Sequence, residues 1–216
     1  MQKLILQITY SFFIRWFLKV IVGVKFDNAK FLLKEEQFII VANHNSHLDT
    51  MALLASLPSK IIHKVKPVAA ADYFGKTKTK ERLTKYFVNA LLISRKRSTE
   101  SPNEDPINMM IEAIDDGFSL IIFPEGTRGE PEIQQPLKPG TAYVLKKRPY
   151  VKYVPVYMTG IGNAMPKDDA LIVPFESTLK YGTPTLIEST ETRDILKQIE
   201  TDLMSLKEQP NDTPTQ

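Results

Sequence analysis

Short apolar runs and segments of helical period alternate along most of the chain. The runs Phe38 to Ala42, Val68 to Ala71, Leu91 to Ser94, Leu120 to Phe123, Tyr153 to Met158 and Leu171 to Val173 predict strands. Helical spacing predicts helices over Leu48 to Leu57, Tyr73 to Phe87, Asn108 to Asp115, Gly140 to Lys147 and Thr192 to Leu206. Such alternation predicts an α/β fold, a single largely parallel sheet flanked by helices.

The first 24 residues follow a different pattern. Lys3, Gln7, Ser11, Arg15 and Lys19 recur every four residues as one narrow, slowly drifting polar stripe. Leu4, Ile5, Ile8, Phe12, Phe13, Trp16, Phe17, Val20 and Ile21 cover the rest. Arg15 and Lys19 cut the apolar run short of the roughly 20 residues a crossing helix needs. No small-x-small site follows it, as a cleaved signal would require. So wide an apolar face is either buried against the protein's own core or laid in a bilayer interface, with Trp16 and Tyr10 at the headgroup boundary and the cations toward anionic lipid. The expected organisation is an amphipathic membrane-associating helix over 1–24, one domain over 25–208, and a disordered tail over 209–216, which has no apolar residue to bury.

Composition narrows the chemistry. The chain has 216 residues and no cysteine, which removes disulfide frameworks, thiolate nucleophiles and Cys-ligated metals. The formal net charge is only +3, but between Lys60 and Arg97 eleven Lys and Arg face only Asp72 and Glu81. A basic middle of this kind suits an anionic partner or solvates an exposed helix. Nucleic acid is disfavoured, because the basic run carries no recognised motif and its aromatic residues, Tyr73, Phe74, Tyr86 and Phe87, have core-like helical spacing.

Two stretches carry candidate chemistry. In VANHNSHLDT, His44 follows an apolar run and Asp49 lies five residues on. On a continuous helix these two side chains point about 140° apart, so a pair requires a turn between them. Ser46 and Asp49 also form a capping-box pattern in front of Met51 to Leu57, and that role alone would account for Asp49. In the catalytic alternative, His44 lies past the carboxyl end of a strand, where open α/β sheets bind ligands. It would act as general base, with Asp49 orienting its ring; no G-x-S-x-G elbow supplies a protein nucleophile, so the substrate's hydroxyl would serve. His47 completes a possible metal trio with His44 and Asp49, but no fourth ligand cluster is evident and the remaining histidine, His63, lies among lysines.

The second stretch is SLIIFPEGTRGEP. An apolar run enters a turn where Gly126 permits close backbone approach, Thr127 offers a hydroxyl, and Arg128 presents a fork suited to phosphate; a local Glu125–Arg128 ion pair is the simpler alternative. Arg95, ending LLISR, is placed to hold an anion, while Pro155 in VPV marks an edge strand more often than a site.

Taken in order, NHNSHLD, LLISR, FPEGTR and VPV resemble the four sequence blocks of the lysophosphatidic acid acyltransferase (1-acylglycerol-3-phosphate acyltransferase) family. The first block matches N-H-x-S-x-x-D at Asn43, His44, Ser46 and Asp49, and the third matches from Phe123 to Arg128. The departures are Ala90 and Ser94 around Arg95, and Gly129 after the third block; they leave the acceptor open, with glycerol 3-phosphate or a lyso-aminolipid as alternatives. The resemblance implies a glycerol-3-phosphate acyltransferase-like fold and acyl transfer from acyl-CoA or acyl-carrier-protein to a lysophospholipid hydroxyl, without a metal or cofactor. It implies His44 as base and Asp49 as its partner, with Arg95, Glu125, Gly126, Thr127 and Arg128 binding the acceptor. Pro155, in the fourth block, takes a structural or acyl-binding role. A peripheral or monotopic protein on the cytoplasmic face of an anionic membrane is the expected setting. The contrasting expectation is a non-catalytic module that only binds anionic membranes.

Overall fold

A computed structural model describes residues 1–74, 77–94, 105–131, 133–166 and 171–208. Seven strands form one sheet: β1 Val24–Phe26, β2 Phe38–Ala42, β3 Val65–Ala70, β4 Leu91–Ile93, β5 Ser119–Ile122, β6 Lys152–Thr159 and β7 Ser177–Tyr181. Their spatial order is β1-β7-β6-β2-β5-β3-β4, and every pairing is parallel except β6 with β7. The largely parallel sheet is therefore as the alternation implies.

Strand β2 lies at the centre of the sheet and every residue in it is buried. Its side chains alternate between two cores: Phe38, Ile40 and Ala42 enter one, Ile39 and Val41 the other. A strand covered on both faces needs apolar residues at every position, which explains the unbroken FIIVA. The first face is covered by α1 (Gln2–Val22) and α2 (Asp49–Ser56). Helices α4 (Pro106–Asp115), α5 (Gly140–Lys147) and α6 (Thr192–Glu208) cover the second. Helix α3 (Lys78–Phe87) packs near the start of α1, and the predicted 73–87 helix is divided, with Ala71–Phe74 as a separate short turn.

Two strand expectations are corrected. Leu171 to Val173 forms no strand; the chain pairs instead over Ser177–Tyr181, whose mixed STLKY carries no run of apolar residues. Pro155 lies in an interior strand, opposite Val41 of β2. Tyr153 N–H reaches toward Thr185 on the β7 side, so Pro155's missing donor falls on that side too, where β7 has ended at Tyr181. Gly182 donates to the Pro155 carbonyl at 2.8 Å there, and a Cβ on Gly182 would meet Pro155 Cγ at 2.6 Å.

Helix α1 is organised inside out. A four-residue step overshoots one α-helical turn by about 40°, so the predicted stripe would wind round a pure α-helix. Here Thr9–Ile14 and Leu18–Val22 are π-helical, and their wider turns offset that drift. The middle of the polar stripe faces the protein, Gln7 Nε2 donating to Ser59 O and Arg15 Nη1 to Ala55 O at 2.8 Å, while Lys3 and Lys19 at its ends are exposed; beside the stripe, Gln2 Nε2 donates to the Lys85 and Tyr86 carbonyls. Leu6, Tyr10, Leu18 and Val22 enter the core. Leu4, Ile8, Phe12, Phe13, Trp16, Val20 and Ile21 face outward. The helix is long and apolar enough to cross a membrane by length and composition, and Arg15 does not cut it short because its charge is turned onto the protein. Its contacts nonetheless run from Gln2 to Val22, so it lies along the domain. The tail, 209–216, falls outside the described residues.

Candidate active site

The parallel strands β2, β3, β4 and β5 end on one edge of the sheet, and a cavity of about 410 Å³ opens over it. Its walls come from His44, Ser46 and His47 after β2, Val68 to Ala70 at the end of β3, Ile93 and Ser94 at the end of β4, and Phe123 to Arg128, apart from Glu125, after β5. Helix α4 adds Ile107 and Met110, and the start of α5 adds Gly140 and Thr141.

The turn after β2 brings His44 and Asp49 together. His44 Nδ1 lies 2.9 Å from Asp49 Oδ2. The same oxygen accepts the backbone N–H groups of Asn45 at 2.7 Å and Ser46 at 2.8 Å. Three converging donors leave the buried carboxylate one orientation. The bond to Ser46 N–H is one half of the predicted capping box; the other half is displaced, because Ser46 Oγ accepts from Leu48 N–H and donates to Met165 O. The helix begins at Asp49 itself. Asp49 therefore holds both the turn and the imidazole, and with Nδ1–H directed at the carboxylate, Nε2 is left as a proton acceptor. The ring stacks on Phe123, with centroids 4.0 Å apart and planes at 16°.

The loops after β2 and β5 are stitched together although some 80 residues separate them. His44 N–H donates to Glu125 Oε1 at 3.1 Å, and Gly129 N–H donates to His44 O at 2.9 Å. Asn45 Nδ2 donates to Glu130 O, and Arg128 Nη1 meets His47 Nε2. Asn43 fixes the other flank, donating to Met158 O and accepting from Met158 N–H, each at 2.8 Å.

Gly126, Thr127 and Arg128 line the cavity, as the sequence leads one to expect of residues that meet a ligand. Glu125 does not: it is buried behind the wall and its carboxyl holds the His44 backbone. Where the simpler alternative has a local Glu125–Arg128 pair, Arg128 meets His47 instead. Arg95 lies outside the described residues. Burial pushes the Glu125 carboxyl up to about 7, against the pull of the His44 and Gln135 backbone N–H groups, with nearby Asp49 adding to the rise. The folded protein thus binds a proton here that the unfolded chain, with the ordinary value of 4.5, releases earlier. Glu125's contribution to stability is largest in acid and declines as pH rises from about 4.5 to about 7. Equilibrium unfolding of wild type and Glu125→Gln across that window is expected to show this decline in wild type and its absence in the variant.

Lys138 carries no motif and is not singled out by sequence reasoning. Its backbone N–H donates to Pro124 O at 2.7 Å, which folds the 130s loop onto the β5 turn. The side chain then crosses Gly126, where an added Cβ would meet Lys138 Cδ at 2.9 Å and Nζ at 2.8 Å. Gly126 has a φ of 71°, so the backbone favours glycine there, and the flexible end of Lys138 lies over the space a Cβ would take. Lys138 lines the cavity with Arg128, and its ammonium makes no hydrogen bond or ion pair to the described residues. Among those residues no three His, Asp or Glu side chains gather as a metal site requires.

Over nearly its whole length the fold matches the crystal structure of the 1-acyl-sn-glycerophosphate (LPA) acyltransferase PlsC from Thermotoga maritima. The TM-score is 0.74 at 22% identity, covering 98% of this chain and 83% of that one. At that identity the likeness establishes the architecture. The family model described as Acyltransferase matches residues 23–159, more than half of the chain and every part of the His44–Asp49 and Gly126–Arg128 site. An enzyme with this sequence signature and this fold belongs to the acyltransferase family.

Proposed function

We propose that this acyltransferase moves a fatty acyl group from acyl-CoA or acyl-carrier-protein to the free hydroxyl of lysophosphatidic acid, forming phosphatidic acid at a membrane surface. The observation that carries this reading is His44 held by Asp49 at the meeting point of an apolar cavity wall and a cationic rim. His44 Nε2 takes the proton of the acceptor hydroxyl as its oxygen attacks the thioester carbonyl. A C–O bond forms, the C–S bond breaks, and the departing thiolate receives the proton back from the imidazolium, which the Asp49 carboxylate stabilises meanwhile. No serine or cysteine of the protein is consumed, and the chemistry asks for no metal.

The two ends of the cavity suit the two ends of such substrates. Val68, Ile93, Ile107, Met110 and Ile122 offer an apolar wall for an acyl chain, and Arg128 with Lys138 offers cations for the acceptor's phosphate. Lys138→Met is expected to raise KM for lysophosphatidic acid about tenfold with little change in KM for the acyl donor, measured by varying each substrate in turn. An equal or larger rise for the donor would assign the lysine to the CoA or carrier-protein phosphate instead. Ser94, which also lines the cavity, is where the sequence departs from the family pattern. Comparing lysophosphatidic acid, glycerol 3-phosphate and a lyso-aminolipid at fixed donor tests the acceptor.

Membrane docking follows from α1. An exposed stripe of Leu4, Ile8, Phe12, Trp16 and Val20 on a helix whose Gln2, Gln7 and Arg15 bond to the protein is the reverse of a water-facing helix. Laid in the interface, it gives a monotopic protein whose apolar stripe enters one leaflet. Both donors are cytoplasmic, which sets the cytoplasmic face. A module that only binds lipid would have no use for the ordered His44–Asp49 pair.

A further inference from the structure

The outward apolar face of α1 continues past the end of the helix. The chain turns at Gly23, with a φ of 93°, and a segment distant in sequence runs alongside: Phe175 N–H donates to Val22 O at 3.0 Å and Ser177 N–H to Gly23 O at 3.4 Å. The stretch LIVPF, 171–175, connects that junction to the catalytic loop. Val173 N–H donates to Ala164 O at 2.9 Å, and the next residue, Met165, offers its carbonyl to Ser46 Oγ at 2.8 Å, two positions from His44.

Within this stretch one side chain turns inward and the others, Pro174 included, are exposed. Ile172 packs against the core, whereas Leu171, Val173 and Phe175 are 66%, 48% and 45% exposed. The stretch joins no sheet, and its outward side chains form an exposed apolar surface. It meets the end of α1 at Val22, just after the exposed Val20 and Ile21; Lys19 is exposed one turn earlier, and Lys25 pairs with Glu176 at 2.7 Å beside Phe175. Exposed aliphatic and aromatic groups continuous with the apolar face of α1 suit a bilayer interface, and Lys19 suits anionic lipid there.

We propose that Leu171, Val173 and Phe175 form a second bilayer contact, which extends the α1 face toward the mouth of the active site. This rests on the membrane-docking reading of α1. It gives the bound lipid an apolar path: an acceptor leaving the leaflet beside α1 passes along this strip to Ser46 and His44 while its acyl chain stays out of water.

The test uses the full chain and vesicles of phosphatidylcholine with phosphatidylglycerol. The double variant Val173→Ser/Phe175→Ser is expected to bind them about tenfold more weakly than wild type. Its kcat/KM on long-chain lysophosphatidic acid presented in vesicles should fall by a similar factor, while its rate with a short-chain, monomeric lysophosphatidic acid stays at the wild-type value. In a Trp16→Phe background, Phe175→Trp fluorescence should be quenched by lipids brominated on their acyl chains. Unchanged vesicle affinity, or the absence of quenching, overturns the proposal. So does a wild-type dimer that the double variant dissociates without loss of vesicle affinity, which would make the strip a protein interface. The companion pair Phe12→Ser/Trp16→Ser separates the two levels. If that pair loses binding and the strip variants do not, only the strip fails; if wild type itself ignores vesicles, the docking reading fails with it.

Discussion

Replacing His44 by alanine lowers acyl transfer by about 10³- to 10⁴-fold, the range a positioned general base contributes, and leaves the fold standing. The imidazole is partly exposed at the cavity, and among the described residues its only hydrogen-bonded side-chain partner is Asp49. The bonds that shape the turn use the His44 backbone instead, donating to Glu125 and accepting from Gly129, and alanine keeps both. Steady-state rates of thiol release and a thermal melt, run on the same preparation, check the two halves together. Loss of activity with loss of the folded state would make His44 a structural residue.

Asp49 gives the second large effect, and it separates catalysis from capping. Asp49→Ala strands the backbone N–H groups of Asn45 and Ser46 in a buried turn, at about 1–3 kcal/mol for each unsatisfied donor, and is expected to lower both stability and turnover. Asp49→Asn keeps an oxygen for those donors and is expected to cost stability no more than about 1–2 kcal/mol. It cannot stabilise an imidazolium as a carboxylate does, so turnover should still fall by about 10²- to 10⁴-fold. Denaturant unfolding beside kcat measures the split. A capping role alone predicts that Asp49→Asn works nearly as well as wild type.

Much of this was legible in the residues, and the limits have physical causes. FIIVA announces a strand buried on both faces, and the polar residues after it announce a turn at a carboxyl edge. Five-residue spacing lets His44 and Asp49 pair only across a turn, and the turn is there. What the sequence conceals is which surfaces meet. Glu125 looks like a ligand-binding acid because its neighbours are, yet its side chain turns back to the His44 backbone. Lys138 is invisible because only the fold lays it across Gly126. At the antiparallel end polarity predicts the wrong element for a related reason: LIVPF is apolar and mostly faces outward, while STLKY is mixed and buried. Pro155 sits inside the sheet because β7 stops where its missing donor points. The four-residue polar stripe in α1 is plain in sequence, but not that Gln7 and Arg15 bond inward from a helix with π-helical turns.

The most direct test of the central claim is thiol release from a long-chain acyl-CoA, and in parallel from acyl-carrier-protein, with and without lysophosphatidic acid in vesicles, with the lipid product identified by mass. The site predicts release that depends on the acceptor, matched mole for mole by phosphatidic acid, and lost in His44→Ala. Release that ignores the acceptor, or the same rate in His44→Ala, would contradict acyl transfer at His44.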